Sequence, residues 1–236
     1  MNNWLRIGQI LQSYCYLCGQ KKNAELTLCH GCCHDLPRIS HACQQCGLPI
    51  SANNQHRHCG QCLKTSPPYE RTLSGYIYSD PLKQLISRMK FSGNLALARL
   101  LGQLLRDELM DKMDSCPDAI LPVPLHERRI KQRGFNQSIE LARPIARQLA
   151  IPIFLNAVER QIDTPSQTGL SKKQRRANLK HAFNVIEDLP YQHVVILDDV
   201  ITTGQTVTAL AACLRTAGVK RVDCWSVARA LPAAAK

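Results

Sequence analysis

Four Cys-x-x-Cys pairs within the first 62 residues, Cys15/Cys18, Cys29/Cys32, Cys43/Cys46 and Cys59/Cys62, constrain this chain more than any other feature. Each pair sets two thiolates on one side of a tight turn, and two such turns complete a tetrahedral four-sulfur shell around zinc at about 2.3 Å per bond. Ten residues separate the first two pairs and twelve the last two, so two closed structural zinc sites are expected. Sequential pairing is the preferred arrangement; a cross-braced one uses the same eight ligands, and spacing does not separate them. Gly19 and Gly47 follow the second cysteine of their pairs, where the backbone must turn beneath a metal. Cys33, His30, His34, His56 and His58 lie beside the ligands and read as surface or supporting residues. Few apolar residues lie between Cys15 and Cys62, so metal binding, worth on the order of 10 kcal/mol per structural site in peptides, must supply the folding free energy. A closed shell leaves no open coordination position, which argues against zinc-dependent hydrolysis.

Nine of the twelve cysteines fall between Cys15 and Cys62, and the composition breaks near residue 65. The expected division is a metal-built front over residues 1–66 and a body over 67–236, joined at Ser66-Pro67-Pro68. Cys116, Cys213 and Cys224 lack partner pairs and are expected in the core. The segment Met1-Asn-Asn-Trp-Leu-Arg6 has neither a basic start with an apolar middle nor a small-residue cleavage site. Arg99, Arg106 and Arg215 interrupt the most apolar stretches, short of the roughly 20 residues that span a bilayer. A cytoplasmic protein without membrane insertion is expected, and in a reducing compartment clustered thiols favour metal over disulfides or redox pairs.

From about residue 72, strands and helices alternate. Ser74–Tyr78 reads as a strand. Asp80-Pro81 opens a helix with Leu82, Leu85, Ile86 and Met89 on one face, and 95–112 reads as a longer helix. A short strand over 119–123, a helix over 136–149, a buried strand at 194–197, a helix over 206–217 stopped by Gly218 and a strand over 222–228 complete the pattern. The fold class is α/β: an open parallel sheet with helices on both faces, whose ligand sits beyond the carboxyl ends of the strands.

There the chain reads Val194-Val-Ile-Leu-Asp198-Asp199-Val-Ile-Thr202-Thr203-Gly204-Gln205-Thr206 before a helix. Residues 202–206 place amides and hydroxyls at a helix N-terminus, where an anion is favoured, and Gly204 permits close backbone approach. Asp198 and Asp199 need a diol or a hydrated Mg²⁺ to share a strand end. Phosphate beside a diol points to a ribose 5-phosphate.

This string resembles the phosphoribosyl pyrophosphate motif of type I phosphoribosyltransferases. With the four pairs, Pro122-Val-Pro-Leu-His126, Arg133-Gly-Phe-Asn-Gln137, Gln167-x-x-Leu170 and Asn178, the chain resembles the ComF/GntX family over nearly its whole length. The resemblance implies a double zinc ribbon joined to a phosphoribosyltransferase-like domain, and involvement in natural competence or in using extracellular DNA as a nutrient. It also implies that Asp198 and Asp199, the candidate catalytic residues, meet the ribose hydroxyls while Thr202, Thr203, Gly204, Gln205 and Thr206 wrap the 5-phosphate. The implied ligands are two zinc ions, and Mg²⁺ with 5-phosphoribosyl 1-pyrophosphate (PRPP) or a related phosphoribosyl compound. The implied partners are competence or DNA-uptake proteins. The acceptor of any transfer is not encoded in a readable motif.

The net charge of +12 is localised: residues 120–185 hold twelve Lys/Arg against four Asp/Glu, a balance of +8. Arg128-Arg129-x-Lys131-x-Arg133 and Lys172-Lys173-x-Arg175-Arg176 lack apolar periodicity and are expected in loops. Arg128 and Arg133 follow a strand end and suit a pyrophosphate-binding loop; the second group, within 164–180, suits a flap closing over the ligand. The same charge, with Phe135, Trp4, Tyr14 and Tyr16, suits single-stranded DNA. The competing reading is therefore a non-enzymatic DNA-handling factor with a regulatory nucleotide pocket.

Overall fold

The computed structural model describes residues 13–22, 28–161 and 182–232. Trp4 and the second basic group, with Gln167, Leu170 and Asn178, lie outside the described residues. The chain separates into two compact units, Met1–Leu36 and Pro37–Lys236, so the junction at 66/67 read from cysteine content falls inside the second.

In the first unit, β1 (Ser13–Tyr14) and β2 (Lys21–Lys22) form an antiparallel pair around the Cys15–Cys18 turn, and Cys29 caps the short helix α1 (His30–His34). The second unit repeats the device. The Gly47 amide closes onto the Cys43 carbonyl at 2.9 Å, as the Gly19 amide does onto Cys15, and Cys59 starts α2 (Gly60–Lys64).

The Pro37–Gln45 segment packs on the body because it extends the sheet: the Ile77 amide donates to the Pro37 carbonyl at 2.7 Å, Ile39 to Gly75 at 3.1 Å and Thr72 to Gln44 at 2.9 Å. Gly47, at φ +70, sits so close to β3 (Arg71–Ile77) that a Cβ there would lie 2.8 Å from Thr72 Cγ2.

The body continues with α3 (Leu82–Ser92), α4 (Leu95–Lys112), β4 (Ala119–Pro122), α5 (Glu127–Arg133), α6 (Gln137–Leu149), the antiparallel pair β5 (Val158–Arg160) and β6 (Phe183–Val185), then β7 (His193–Ile201), α7 (Gln205–Thr216) and β8 (Arg221–Arg229). Four strands form a parallel sheet in the order β3-β8-β7-β4. Alternate strand residues face opposite sides. Val194, Ile196, Val222 and Cys224 pack with Val207, Leu210, Ala211 and Leu214 of α7, whereas Val195, Leu197, Trp225 and Val227 are buried on the other face, where α4 and α6 meet the sheet. The expected open parallel sheet with helices on both faces is the observed architecture.

Two local expectations are corrected. The Arg128–Arg133 group is helical, not a loop: His126 accepts the Arg128 amide at its ring nitrogen, 3.3 Å away, and Gly134 ends the helix in the left-handed conformation. Its residues are largely exposed, so it carries none of the apolar periodicity by which a helix is read. Cys116 is exposed rather than a core residue, whereas Cys224 is buried and Cys213 half-buried.

Candidate functional site

β7 carries Asp198 and Asp199 to the end of the sheet, pairing Asp198 with Ser226 and Val200 with Ala228 of β8. Asp199 is buried and Asp198 half-buried. Asp198 Oδ1 accepts from the Asp199 amide at 2.8 Å and from Ser138 Oγ at 3.4 Å, and Asp199 Oδ1 accepts from the Val200 amide at 2.7 Å. Lys90 Nζ, from α3, lies 2.7 Å from Asp199 Oδ2. That oxygen nevertheless receives no well-directed hydrogen bond among the described residues, so the contact is one of charge. Crowding by protein and the neighbouring Asp199 charge push the Asp198 carboxyl up to about 7, against the opposing pull of Lys90, the Asp199 amide and Arg160.

Beyond the carboxylates the chain turns into α7. Thr202 and Thr203 are exposed; Gly204 is buried at φ +78. The left-handed turn needs glycine for its φ rather than for space, since a Cβ on Gly204 would meet only Tyr69 Oη, at 3.6 Å. The N-cap residue Gly204 offers no side chain to cap α7; the Gln205 amide makes only a long contact, 3.5 Å, to Thr203 Oγ1, and a helix N-terminus favours an anion. Asp198, Val200, Ile201, Thr202, Gly204, Gln205, Thr206 and Val207 line one shallow pocket. It unites the expected carboxylate and phosphate elements, leaving only Asp199 and Thr203 off its lining.

Arg133 ends α5 half-buried, its Nη1 donating to Gln137 Oε1 at 3.0 Å. Burial lowers its pKa, while the charges of Asp199 and Asp198 favour the cation. Arg128 is exposed on the same helix. Asn136 ties this region to the sheet: Nδ2 donates to the Val123 carbonyl at 3.1 Å, and Oδ1 accepts the Ser138 amide at 2.9 Å at the start of α6. Lys90 was not among the residues expected at the site. Its signal is faint: a lysine one helical turn beyond the fully buried Ile86, on the side of α3 that faces the protein.

The eight paired cysteines form two groups, Cys15, Cys18, Cys29, Cys32 and Cys43, Cys46, Cys59, Cys62, the Sγ atoms of each lying within 4.8 Å of one another. This is the sequential arrangement. A tetrahedral shell with bonds of about 2.3 Å requires sulfurs about 3.8 Å apart; Cys18 and Cys29, like Cys46 and Cys59, are 3.6 Å apart. The donor set and spacing fit zinc, and neither Cys33 nor any neighbouring histidine belongs to either group.

Comparison with known families matches residues 8–63 to the Double zinc ribbon domain and residues 136–233 to the Phosphoribosyl transferase domain. The chain is 39% identical over 210 residues to Competence protein F of Haemophilus influenzae, covering 86% of this chain and 90% of that protein. It is 39% identical over 228 residues to DNA utilization protein YhgH of Escherichia coli O157:H7, covering 92% and 97%. Over 230 residues it is 27% identical to Competence protein ComFC of Bacillus subtilis, covering 88% and 90%. With a double zinc ribbon, a phosphoribosyltransferase domain and end-to-end similarity to these proteins, the chain belongs to the ComF/GntX family.

Proposed function

We propose that this protein binds PRPP with Mg²⁺ at the end of β7 and serves competence or DNA utilization, the terms in the names of its relatives. One observation carries the ligand: Asp198, with Asp199 buried beside it, and the N-terminal turn of α7 meet at one pocket. The buried Asp199 oxygen, compensated by a charge rather than a directed hydrogen bond, is the kind of group that a hydrated cation or a ribose hydroxyl satisfies.

In this reading the amides of Gln205 and Thr206, with the Thr202 and Thr206 hydroxyls, hold the 5-phosphate, and Asp198 and Asp199 accept the ribose hydroxyls. Arg133 and its neighbours on α5 face the pyrophosphate. Mg²⁺ held with the ligand beside Asp198 and Asp199 would supply positive charge for a leaving pyrophosphate. Lys90 holds the Asp199 charge while the pocket is free and shares it when a ligand arrives. No protein nucleophile is required, because stabilising the developing charges suffices.

Single-stranded DNA is the weaker reading, because among the described residues lining the pocket none is aromatic, whereas such sites stack bases on rings. Calorimetry with PRPP and Mg²⁺ decides: the wild type should bind, and the double variant Asp198→Asn/Asp199→Asn should not. Absence of wild-type binding at millimolar PRPP removes the proposal. Release of pyrophosphate in the presence of a cell extract identifies a transferase rather than a binding protein.

A further inference from the structure

Arg229, the last residue of β8, is only 5% exposed, and among the described residues no carboxylate pairs with it. A buried cation is costly unless its donors are satisfied, and here backbone carbonyls satisfy them. Nη1 donates to Ile201 at 2.9 Å, to Ala230 at 3.1 Å and to Thr202; Nε donates to Cys46 at 2.8 Å. Ile201 ends β7, where its carbonyl also accepts the Ala230 amide at 3.0 Å, Thr202 begins the loop that follows, and one acceptor belongs to a cysteine of the second four-sulfur group.

The peptide geometry gives this arrangement a direction. In a trans peptide the carbonyl and the following amide point opposite ways, so pinning the Ile201 and Thr202 carbonyls on Arg229 turns the Thr202 and Thr203 amides away from it. On the other side, the Cys43–Cys46 turn is held to β3. Thr72 Oγ1 donates to the Gln45 carbonyl at 2.7 Å and the Thr72 amide to Gln44 at 2.9 Å. Gly47 leaves no slack against Thr72. Between these held neighbours, Cys46 gives its Sγ to the four-thiolate group and its carbonyl to Arg229. The guanidinium is a rigid planar fork, and it bonds the Cys46 carbonyl and the Ile201 and Thr202 carbonyls at once.

We propose that Arg229 couples the metal state of the Cys43, Cys46, Cys59, Cys62 site to the conformation of the Ile201–Thr206 loop, so that zinc at this site preorganises the phosphate cradle. The functional consequence rests on the phosphoribosyl reading of the pocket; the coupling itself does not.

Amide hydrogen exchange on the full-length, zinc-loaded protein tests the coupling directly. Chelating zinc from the wild type should speed exchange at residues 202–206 by about tenfold, the scale of one lost hydrogen bond. Arg229→Lys keeps the charge but loses the fork; it should show the fast exchange with zinc bound, and chelation should add nothing. The proposal is overturned by unchanged wild-type exchange on chelation, or by Arg229→Lys exchanging like the wild type with zinc bound. Ribose 5-phosphate titration is the second readout. Zinc removal and Arg229→Lys should weaken its binding by similar factors, and undiminished affinity in either case overturns the functional half. Altered exchange in a protein that never binds ribose 5-phosphate would instead sink the ligand reading and leave the coupling standing.

Discussion

Lys90 Nζ and Asp199 Oδ2 lie 2.7 Å apart, joining the last turn of α3 to the carboxylate pair at the end of β7. The Lys90 side chain is 22% exposed and that of Asp199 only 4%, so the attraction is poorly screened and removing the cation strands a buried charge. Lys90→Met should therefore destabilise the fold by about 3 kcal/mol in urea unfolding. The same change removes a pull that lowers the Asp198 pKa, so the pH midpoint for binding PRPP with Mg²⁺ should move upward. An unchanged midpoint would show that Lys90 does not act on the pair.

Asp198 makes a prediction of opposite sign for stability. Its carboxyl titrates near 7 in the fold, against about 3.9 in an unfolded chain. The folded state thus holds a proton that the unfolded state releases, and stability falls as pH rises between those values, with the full cost present above 7. Asp198→Asn removes the cost, so the ligand-free variant should exceed the wild type by at least about 1 kcal/mol at pH 8 after allowing for solvent screening at this half-buried group. The advantage should vanish near pH 4. Paired urea curves at several pH values measure the difference, in which the acid sensitivity of the zinc sites cancels. Ligand binding should be lost in the same variant, separating the carboxylate's functional role from its structural one.

Arg133 tests which part of the ligand faces α5. If its guanidinium meets pyrophosphate, Arg133→Met should weaken PRPP binding by about tenfold or more, one charge-assisted hydrogen bond. Ribose 5-phosphate, which lacks the pyrophosphate, should bind with nearly unchanged affinity. Equal losses for both ligands, measured by calorimetry, would instead place Arg133 at the shared ribose phosphate or in the packing of α6 through Gln137.

The parts of this fold that were legible are those whose signals are local. Helix α4 spans Leu95–Lys112 as read, because its apolar spacing is regular and Asn94 accepts the Leu97 amide at its N-terminus. Strand β7 runs on to Ile201, well past the apolar run, because pairing with β8 overrides the poor strand preference of adjacent aspartates. That Asp198 and the turn into α7 meet at one pocket was legible because one unbroken string holds both. Lys90 and Arg229 were not. The first meets a residue 109 positions later, and the second meets main-chain carbonyls, which every residue has and no sequence pattern marks.

Metal release offers a last test, resting on the unequal burial of the two cysteine groups. In the first, Cys18 is exposed and Cys29 and Cys32 are half-buried. In the second, Cys43 is fully buried, and Cys46 and Cys62 pack with Leu48 and Ile50. Exchange of a thiolate-bound metal requires a chelator to reach the sulfurs, so the two sites should differ in rate although their ligand sets are identical. A chromophoric chelator should withdraw two equivalents of zinc per chain in two phases, the slower assigned to the Cys43 group. Cys18→Ser should abolish the fast phase and leave the slow one. A single phase of two equivalents would mean that burial does not limit access, and fewer than two would remove one of the sites.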